Sequence, residues 1–207
     1  MNCFGGAMDW TLIKKDKYVV SEWSGGTTTK LAIFPESAVY ADRDFIWRLS
    51  SAEVLTPESD FTPLPDYDRL ISVVSGAMDL KVSGGERVTL KPLQVLAFDG
   101  AVSTKSWGLC RDFNLMTRKG KCRGSLKTFE LSAGSSAVWT PDAGTVDADG
   151  RCVHLAIYCA RGEILLPEDG VAAHESELLL CRSGAYASIP LRSKTRCIIF
   201  TMAAELL

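Results

Sequence analysis

Residues 70–98 read LISVVSGAMDLKVSGGERVTLKPLQVLAF and contain short apolar runs that are separated by turn signals. The runs with the length and composition of strands are Leu70–Val74, Met78–Val82, Arg87–Leu90 and Val95–Phe98. Between them lie Ser75-Gly76 and Ser83-Gly84-Gly85, which are residue types that form tight turns. Short strands at this spacing predict a β-sandwich or β-barrel.

Short apolar runs separated by turn residues continue over the rest of the chain. Further predicted strands are Thr27–Phe34, Ile46–Val54, Trp107–Met116, Lys127–Leu131, Ala137–Thr140, Cys152–Cys159, Glu163–Leu166, Glu177–Leu180, Ala185–Ile189 and Arg196–Met202. The best helical candidates, the residues after Met8 and the tail Met202–Leu207, are both short. The chain is therefore expected to be all-β with little helix.

One basic stretch interrupts the strands. Residues 118–124, RKGKCRG, are rich in cations and glycine and poor in apolar side chains. We interpret them as a solvated linker, with an anion-binding loop as the alternative. The predicted domains are therefore an N-terminal barrel with a ligand pocket, residues 8–120, and a smaller barrel, residues 121–207. Residues 1–7 are expected to be disordered or poorly packed.

The composition excludes several classes of function. The 207 residues are 46% hydrophobic and 23% charged, and the formal net charge is −2. A chain so close to neutral has no electrostatic footprint for nucleic acid or for an anionic membrane surface. No apolar run of 18 residues is present, so no transmembrane helix is expected.

Cysteine usage and the N-terminus favour the cytoplasm. The seven cysteines form no CxxC pair, and Cys159 and Cys197 lie in apolar runs. The N-terminus has no apolar run of signal-peptide length. We expect a cytoplasmic protein with reduced thiols, and a secreted protein with one or two disulfides is the alternative.

The segment Pro63–Gly76 has the spacing of the first cupin motif, in which two histidines and a glutamate bind a metal. In this frame Pro63 and Pro65 occupy the histidine positions and Arg69 the glutamate position, while Ala97 replaces the histidine of the second motif. Proline and alanine side chains have no lone pair, and arginine is permanently cationic. We therefore expect no cupin metal site in this half and no cofactor in the protein.

The two histidines of the chain, His154 and His174, both lie in the second half. A metal site there would need a further ligand such as Glu175, Glu177 or Cys181. We interpret His154 as a strand residue with a satisfied ring and His174 as a solvated loop residue.

Four longer blocks carry a family resemblance, and they are Trp23–Ile33, Asp44–Val54, Ser59–Arg69 and Arg111–Met116. In order and spacing they resemble the HutD/Ves family over residues 8–120. The resemblance implies a metal-free double cupin that binds a small molecule, as a regulator or accessory protein of histidine utilisation. Lys30 departs from the family, which often has Glu or Gln at this position.

Strand alternation places polar side chains together in this half. Asp112 and Asn114 share one face of a predicted strand, and Arg48 shares a face with Ser50. Arg69 shares its face with isoleucine and valine. An arginine on such an apolar face needs a carboxylate or an anionic ligand.

The candidate ligand-binding residues combine cations, hydroxyls, an amide, carboxylates and two tryptophan walls. They are Trp23, Thr28, Lys30, Trp47, Arg48, Ser50, Arg69, Asp99, Asp112 and Asn114. In this interpretation the arginines, the amide and the hydroxyls bind a small carboxylate, while Asp99 or Asp112 orients the arginines or accepts a ligand N–H. In the alternative, the arginines form structural bridges with Asp68, Asp99 or Asp112.

Three functions compete. The first is a binding protein for a small anionic metabolite, which the resemblance narrows to urocanate or to formylated or formimino-glutamate. The second is a metal-independent isomerase or hydrolase that uses Asp112, Glu53 or Lys30 as acid or base. The third is a protein-interaction module with a vestigial pocket. Nucleic acid and membrane are not expected partners, and a homodimer is the expected assembly if sheet edges pair.

Overall fold

The computed structural model describes residues 8–141, 153–182 and 188–207. Within these ranges the chain consists of strands, apart from two single-turn 3-10 helices, Lys15–Lys17 and Tyr40–Asp42. The predicted all-β class is confirmed. None of the described helices is long and apolar enough to cross a membrane. The expectation for residues 1–7 falls outside the described residues.

The chain divides into two compact units. The larger unit is Asp16–Thr128 with Leu207, and the smaller unit comprises the residues up to Lys15 together with Phe129–Leu206. The strands that begin in the larger unit are β2 (Val19–Trp23), β3 (Gly26–Phe34), β4 (Trp47–Val54), β5 (Glu58–Asp60), β6 (Tyr67–Gly76), β7 (Met78–Val82), β8 (Arg87–Leu90), β9 (Val95–Asp99), β10 (Thr104–Trp107), β11 (Cys110–Arg118) and β12 (Cys122–Leu131). The strands of the smaller unit are β1 (Thr11–Ile13), β13 (Ser136–Trp139), β14 (Val153–Arg161), β15 (Glu163–Leu166), β16 (Val171–His174), β17 (Glu177–Cys181), β18 (Ile189–Ser193) and β19 (Cys197–Leu206).

This division differs from the predicted domains 8–120 and 121–207. The units meet inside β12, and the basic stretch contains the short turn between β11 and β12, where the backbone N–H of Lys121 donates to the carbonyl of Arg118. Only three residues separate the end of β11 from the start of β12, and the strands belong to different sheets, so the cationic segment is a tight connection between strands and not a linker.

The N-terminal residues belong to the smaller unit because of contacts that are distant in sequence. Strand β1 pairs antiparallel with β17, with Thr11 opposite Leu180. The backbone N–H of Met8 and the indole N–H of Trp10 both donate to the carboxylate of Asp169. This pairing joins segments that are far apart along the chain, so the local sequence does not indicate it. The predicted N-terminal barrel, residues 8–120, therefore includes these N-terminal residues.

Two sheets form the larger unit. One has the strand order β2-β3-β4-β11-β6-β9 and the other has the order β5-β10-β7-β8. Side chains from both sheets form one apolar core, in which Ile71 and Val73 of β6 meet Met78, Leu80 and Leu90 of β7 and β8. This core occupies only part of the space between the sheets.

The register of the three central strands groups the polar side chains. On β11, Met116 lies opposite Arg48 of β4 on one side and opposite Arg69 of β6 on the other. Asn114 lies opposite Ser50 of β4. Residues that lie directly opposite each other in an antiparallel sheet point to the same face. Both arginines and the amide therefore share one face of this sheet.

The smaller unit is filled by apolar side chains instead. Its sheets have the orders β1-β17-β14-β19-β12 and β13-β18-β15-β16. The core includes Trp139, Leu155, Ile157, Leu166 and Ile189, and each of these is at most 1% exposed. The apolar interior of the smaller unit contrasts with that of the larger unit, which contains a polar cavity.

The tail Met202–Leu207 is not helical. It continues β19, which pairs along its length with β14 and places Ala204 opposite His154. Alanine, glutamate and leucine favour helix in isolation, but burial between two strands overrides this preference. The predicted helical candidate was therefore wrong.

Candidate functional site

A cavity of about 320 Å³ lies in the larger unit. Strands β2, β3, β4, β6 and β11 contribute to its wall, together with Tyr40 and the segment Asp60–Thr62. Seven of the ten predicted residues line it, and they are Trp23, Thr28, Arg48, Ser50, Arg69, Asp112 and Asn114. The volume is at the lower end of the range for small-molecule sites.

Two buried arginines dominate the charge of this cavity. Arg48 is 5% exposed and Arg69 is 6% exposed. Arg48 donates from Nη1 to Ser50 Oγ at 2.8 Å. Burial lowers the pKa of both guanidinium groups, that of Arg69 to about 10. Both side chains nevertheless remain cations at neutral pH.

Aromatic rings hold the guanidinium groups in place. The Cζ atom of Arg48 lies 4.5 Å from the ring centroid of Tyr40. The Cζ atom of Arg69 lies 4.7 Å from the centroid of Phe61 and 5.3 Å from that of Phe98. Cation–π stacking of this kind uses the faces of the guanidinium groups and leaves their N–H edges for hydrogen bonds.

Several buried polar atoms of the cavity have no partner. Among the described residues, no hydrogen bond reaches the Nε atoms of Arg48 and Arg69 or the Oδ1 atom of Asn114. The described residues also form no ion pair between either arginine and Asp68, Asp99 or Asp112. Buried donors and acceptors are nearly always satisfied in folded proteins. These three side chains therefore offer unused hydrogen-bonding capacity to a ligand.

The carboxyl group of Asp112 lies in the same cavity. It is 5% exposed, and its Oδ1 atom accepts a hydrogen bond from the backbone N–H of Ala52 at 2.8 Å. Burial raises its pKa to about 6, against the lowering effects of this hydrogen bond and of the nearby Arg69 and Arg48. The carboxyl group is thus able to gain or lose a proton near neutral pH.

Trp23 forms part of the cavity wall at the sheet edge. It lies on β2, an edge strand whose five residues are all exposed, and its own side chain is 37% exposed. Its indole ring lies over Gly25, where an added Cβ would come within 2.1 Å of the ring atom Cζ3. The glycine therefore fixes where the ring can lie.

We expect Gly25→Ala to move the Trp23 ring and to leave the fold intact. The clashing atoms are the far end of one side chain on an exposed strand, so the ring can shift at small cost. Intrinsic tryptophan fluorescence should change, and the melting temperature should change by less than about 2 °C. The substitution Gly134→Ala meets no atom within 4 Å and is the control. It controls the fluorescence only, because alanine at its positive φ of 76° is itself strained and lowers the melting temperature of this variant.

Three predicted residues lie outside the cavity. Trp47 is fully buried on the opposite face of β4 and stacks on Phe34 at a centroid distance of 6.1 Å. Lys30 lies next to a register shift in β3, and from this strand Thr28 lines the cavity instead. Asp99 is exposed, pairs with Lys119, and has a lowered pKa because Lys119 donates a hydrogen bond to it.

Of the four positions that correspond to metal ligands in the cupin motifs, one lines the cavity. Arg69 lines it, whereas Pro63 and Pro65 are exposed and do not. Ala97 lies opposite Leu70 on β9, and the residue opposite Arg69 is Phe98.

Tyr40 and Phe61 are cavity residues that the sequence-based list lacks. Phe61 lies within the block Ser59–Arg69 that carries the family resemblance, so a signal for it was present. Tyr40 comes from an isolated 3-10 turn and offers no strand pattern from which its position could be read.

The residues of this site do not fit a cupin metal. The described parts of the chain contain no group of three or more His, Cys, Asp or Glu side chains that could hold a metal ion. At the cavity, guanidinium groups occupy the place where a cation would need carboxylate or imidazole ligands.

Comparison with known proteins gives one family and one fold. The family description of HutD matches residues 15–199. Protein Ves from Escherichia fergusonii is 29% identical over 177 residues, which are 73% of this chain and 90% of that protein.

Solved structures with a similar fold include a HutD protein, a protein of unknown function and a more distant cupin. HutD from Pseudomonas fluorescens SBW25, in a formate condition, has a TM-score of 0.70 and 22% identity, over 93% of this chain and 97% of that one. A conserved protein of unknown function from Pseudomonas aeruginosa PAO1 has a TM-score of 0.76 and 22% identity, over 95% and 98%. YhhW from Escherichia coli has a TM-score of 0.67 and 11% identity, over 94% and 97%. These likenesses establish a cupin fold.

Proposed function

The chain belongs to the HutD family, and from this premise we propose that it binds a small carboxylated metabolite in the cavity of its larger unit. The observation that carries the proposal is the set of unpartnered buried groups, the Nε atoms of Arg48 and Arg69 and the Oδ1 atom of Asn114. A carboxylate matches the planar N–H edge of a guanidinium, and an N–H donor elsewhere on the ligand matches the Oδ1 acceptor of Asn114. The family relation favours a role as a regulator or accessory protein of histidine utilisation.

The charge balance of the cavity supports an anionic ligand. Among its buried residues, Arg48 and Arg69 contribute two positive charges and Asp112 contributes at most one negative charge. Glu22 and Asp60 also line the cavity, but both are exposed and water screens their charges. A buried cation without a counter-charge is costly, and an incoming carboxylate removes that cost while it displaces water from the cavity. Tyr40, Phe61 and Met116 supply apolar surface for the rest of a small molecule.

Isothermal titration calorimetry with urocanate, N-formyl-L-glutamate and N-formimino-L-glutamate tests the proposal. At least one of them should bind to the wild-type protein and to Arg87→Gln. Arg87 is a suitable control because it also stacks on an aromatic ring, Trp107, but lies on the surface and pairs with Asp79. No heat of binding with any of the three would contradict the proposed metabolite class.

We expect Asn114→Leu to weaken binding of the compound that binds best by roughly tenfold. The substitution keeps the side-chain size and removes the unpartnered Oδ1 acceptor and the amide donor. One hydrogen bond to a ligand contributes about 1–1.5 kcal/mol, which corresponds to this change in Kd. Unchanged affinity would show that the amide does not touch the ligand, and a thermal melt checks that the variant is folded.

A second candidate function is a metal-independent enzyme, and the position of Asp112 favours it. Of the three predicted acids or bases, Asp112 lines the cavity, whereas Lys30 and Glu53 do not. Its raised pKa suits a group that exchanges a proton near pH 6. Proton NMR of the same three compounds with the protein, and with Asp112→Asn, separates turnover from binding alone.

We also propose that the protein acts in the cytoplasm. Cys110, Cys159 and Cys197 carry free buried thiols. Free thiols are typical of reducing compartments. Fractionation of cells that express the protein, with an immunoblot, would check the location.

A further inference from the structure

The buried part of the cavity combines two guanidinium groups with one buried carboxyl group, that of Asp112, whereas the other lining carboxyl groups, Glu22 and Asp60, are exposed. Arg48 and Arg69 lie on the two sides of Met116, and Asp112 lies further along the same central strand. With Asp112 ionised, the three groups carry a net charge of +1. With Asp112 protonated, they carry +2. The two states therefore match a monoanion and a dianion respectively.

We propose that Asp112 determines ligand specificity by charge, so that a dicarboxylate binds together with one proton taken up by Asp112, whereas a monocarboxylate binds without it. This inference rests on the proposed carboxylate-binding function. It assigns to Asp112 the role of a specificity-determining residue that senses the second negative charge of the ligand.

The immediate surroundings of Asp112 allow both protonation states. The Oδ1 atom accepts from the backbone N–H of Ala52, and no hydrogen bond to the Oδ2 atom is found among the described residues. A proton placed on Oδ2 would therefore break no existing contact. It would also convert that oxygen into a donor towards a ligand carboxylate in the cavity.

Three arginines and one thiol surround the carboxyl group of Asp112. Arg48 faces it from β4, Arg69 from β6, and Arg111 and Cys110 lie on its own strand. Burial raises the pKa of the Cys110 thiol to about 12, so this thiol stays neutral and does not compete for the proton. The three arginines stay charged throughout the relevant pH range.

The remaining elements add little charge at this point. Strand β3 contributes the uncharged Thr28, and the 3-10 turn contributes Tyr40. Glu22 of β2 and Asp60 of β5 also line the cavity, but both residues are exposed and neither shifts the pKa of Asp112. Water screens such exposed charges far more than buried ones. Asp112 is therefore the titratable carboxyl group of this cavity that responds to the ligand.

The direction of the proton transfer follows from electrostatics. In the free protein the pKa of Asp112 is about 6, so its carboxyl group is mostly ionised at pH 7. A second ligand carboxylate in a water-poor cavity disfavours another negative charge and raises this pKa further. The complex with a dianion then holds a proton that the free protein lacks, and affinity falls as the pH rises.

Calorimetry with N-formyl-L-glutamate and N-formyl-L-glutamine tests the proposal, because the two compounds differ by one charge and have nearly the same shape. At pH 7, titrations in buffers of different ionisation enthalpy should show uptake of about one proton for the glutamate compound and much less for the glutamine compound. The Kd of the glutamate compound should rise about tenfold per pH unit from pH 6.5 to pH 8.

The isosteric variant Asp112→Asn supplies the control, since its amide oxygen can still accept from Ala52. It should abolish proton uptake and bind N-formyl-L-glutamate at pH 8 at least about tenfold more tightly than the wild type does. Binding of both compounds by the wild type with no proton uptake would overturn this inference and leave carboxylate binding intact. Binding of neither would overturn carboxylate binding for this class as well.

Discussion

The double substitution Arg48→Met/Arg69→Met should abolish carboxylate binding and at the same time stabilise the protein. Each guanidinium is expected to give a charge-assisted hydrogen bond to the ligand that contributes about 1.5–3 kcal/mol. Loss of both should weaken binding roughly 100-fold or more. Calorimetry with the compound that binds the wild type best measures this effect.

The stability gain has a separate physical reason. Two cations are buried side by side without an ion pair to a carboxylate among the described residues, and desolvation lowers the pKa of each. Methionine fills a similar volume and keeps a favourable contact with the rings of Tyr40, Phe61 and Phe98. Replacing buried ion pairs with well-packed apolar side chains is neutral or stabilises proteins by about 1–4 kcal/mol, and the Asp112 carboxyl that stays behind avoids an uncompensated charge at pH 6 by taking up a proton. Urea unfolding at pH 6 measures the change, with Arg87→Met as the surface control.

Opposite signs for binding and stability are what distinguish a ligand site from a structural bridge. If the arginines served the fold, the double variant would lose several kcal/mol of unfolding free energy, because a buried ionised Asp112 would lose its counter-charges. A destabilised variant, or one that binds with wild-type affinity, would therefore contradict the proposed function. A stabilised variant without affinity would support it.

Much of this site could be predicted from strand alternation. Arg48, Ser50, Asp112 and Asn114 have the correct faces because the side-chain period of a strand is two and local sequence sets it. Arg69 could be predicted for an energetic reason, since an arginine among isoleucine and valine must find an anion. These inferences require only that the strands exist.

The errors have causes that a local pattern does not contain. Alternation alone does not decide which residues of one face reach a cavity, since Lys30 pairs in register with Ser50 and yet does not line it. The tail after Met202 is a strand because its neighbours β14 and β12 are strands. The residues up to Lys15 group with the smaller unit because β1 pairs with a strand more than 160 residues away along the chain. Both the tail and this grouping depend on long-range pairing, which no single segment encodes.

The two tryptophans that the sequence proposed as cavity walls should behave in opposite ways when replaced with alanine. Trp47→Ala is expected to destabilise the fold by about 3–5 kcal/mol, because its side chain is fully buried and stacks on Phe34. For a protein of this size that corresponds to a fall in melting temperature of roughly 10 °C. Thermal melting followed by far-UV circular dichroism measures it.

Trp23→Ala should show the reverse pattern, because this ring lines the cavity on an exposed edge strand. Its removal leaves no enclosed hole, so the unfolding free energy should change by less than about 1 kcal/mol. It does remove apolar surface from the ligand wall, and the Kd of the compound that binds best should rise several-fold. Two outcomes would mean that the wall of the site has been assigned to the wrong face of the sheet. One is a large loss of stability in Trp23→Ala. The other is a folded Trp47→Ala protein that loses affinity while Trp23→Ala keeps it. Because both variants remove the same side chain, the difference between them reports only where each ring lies.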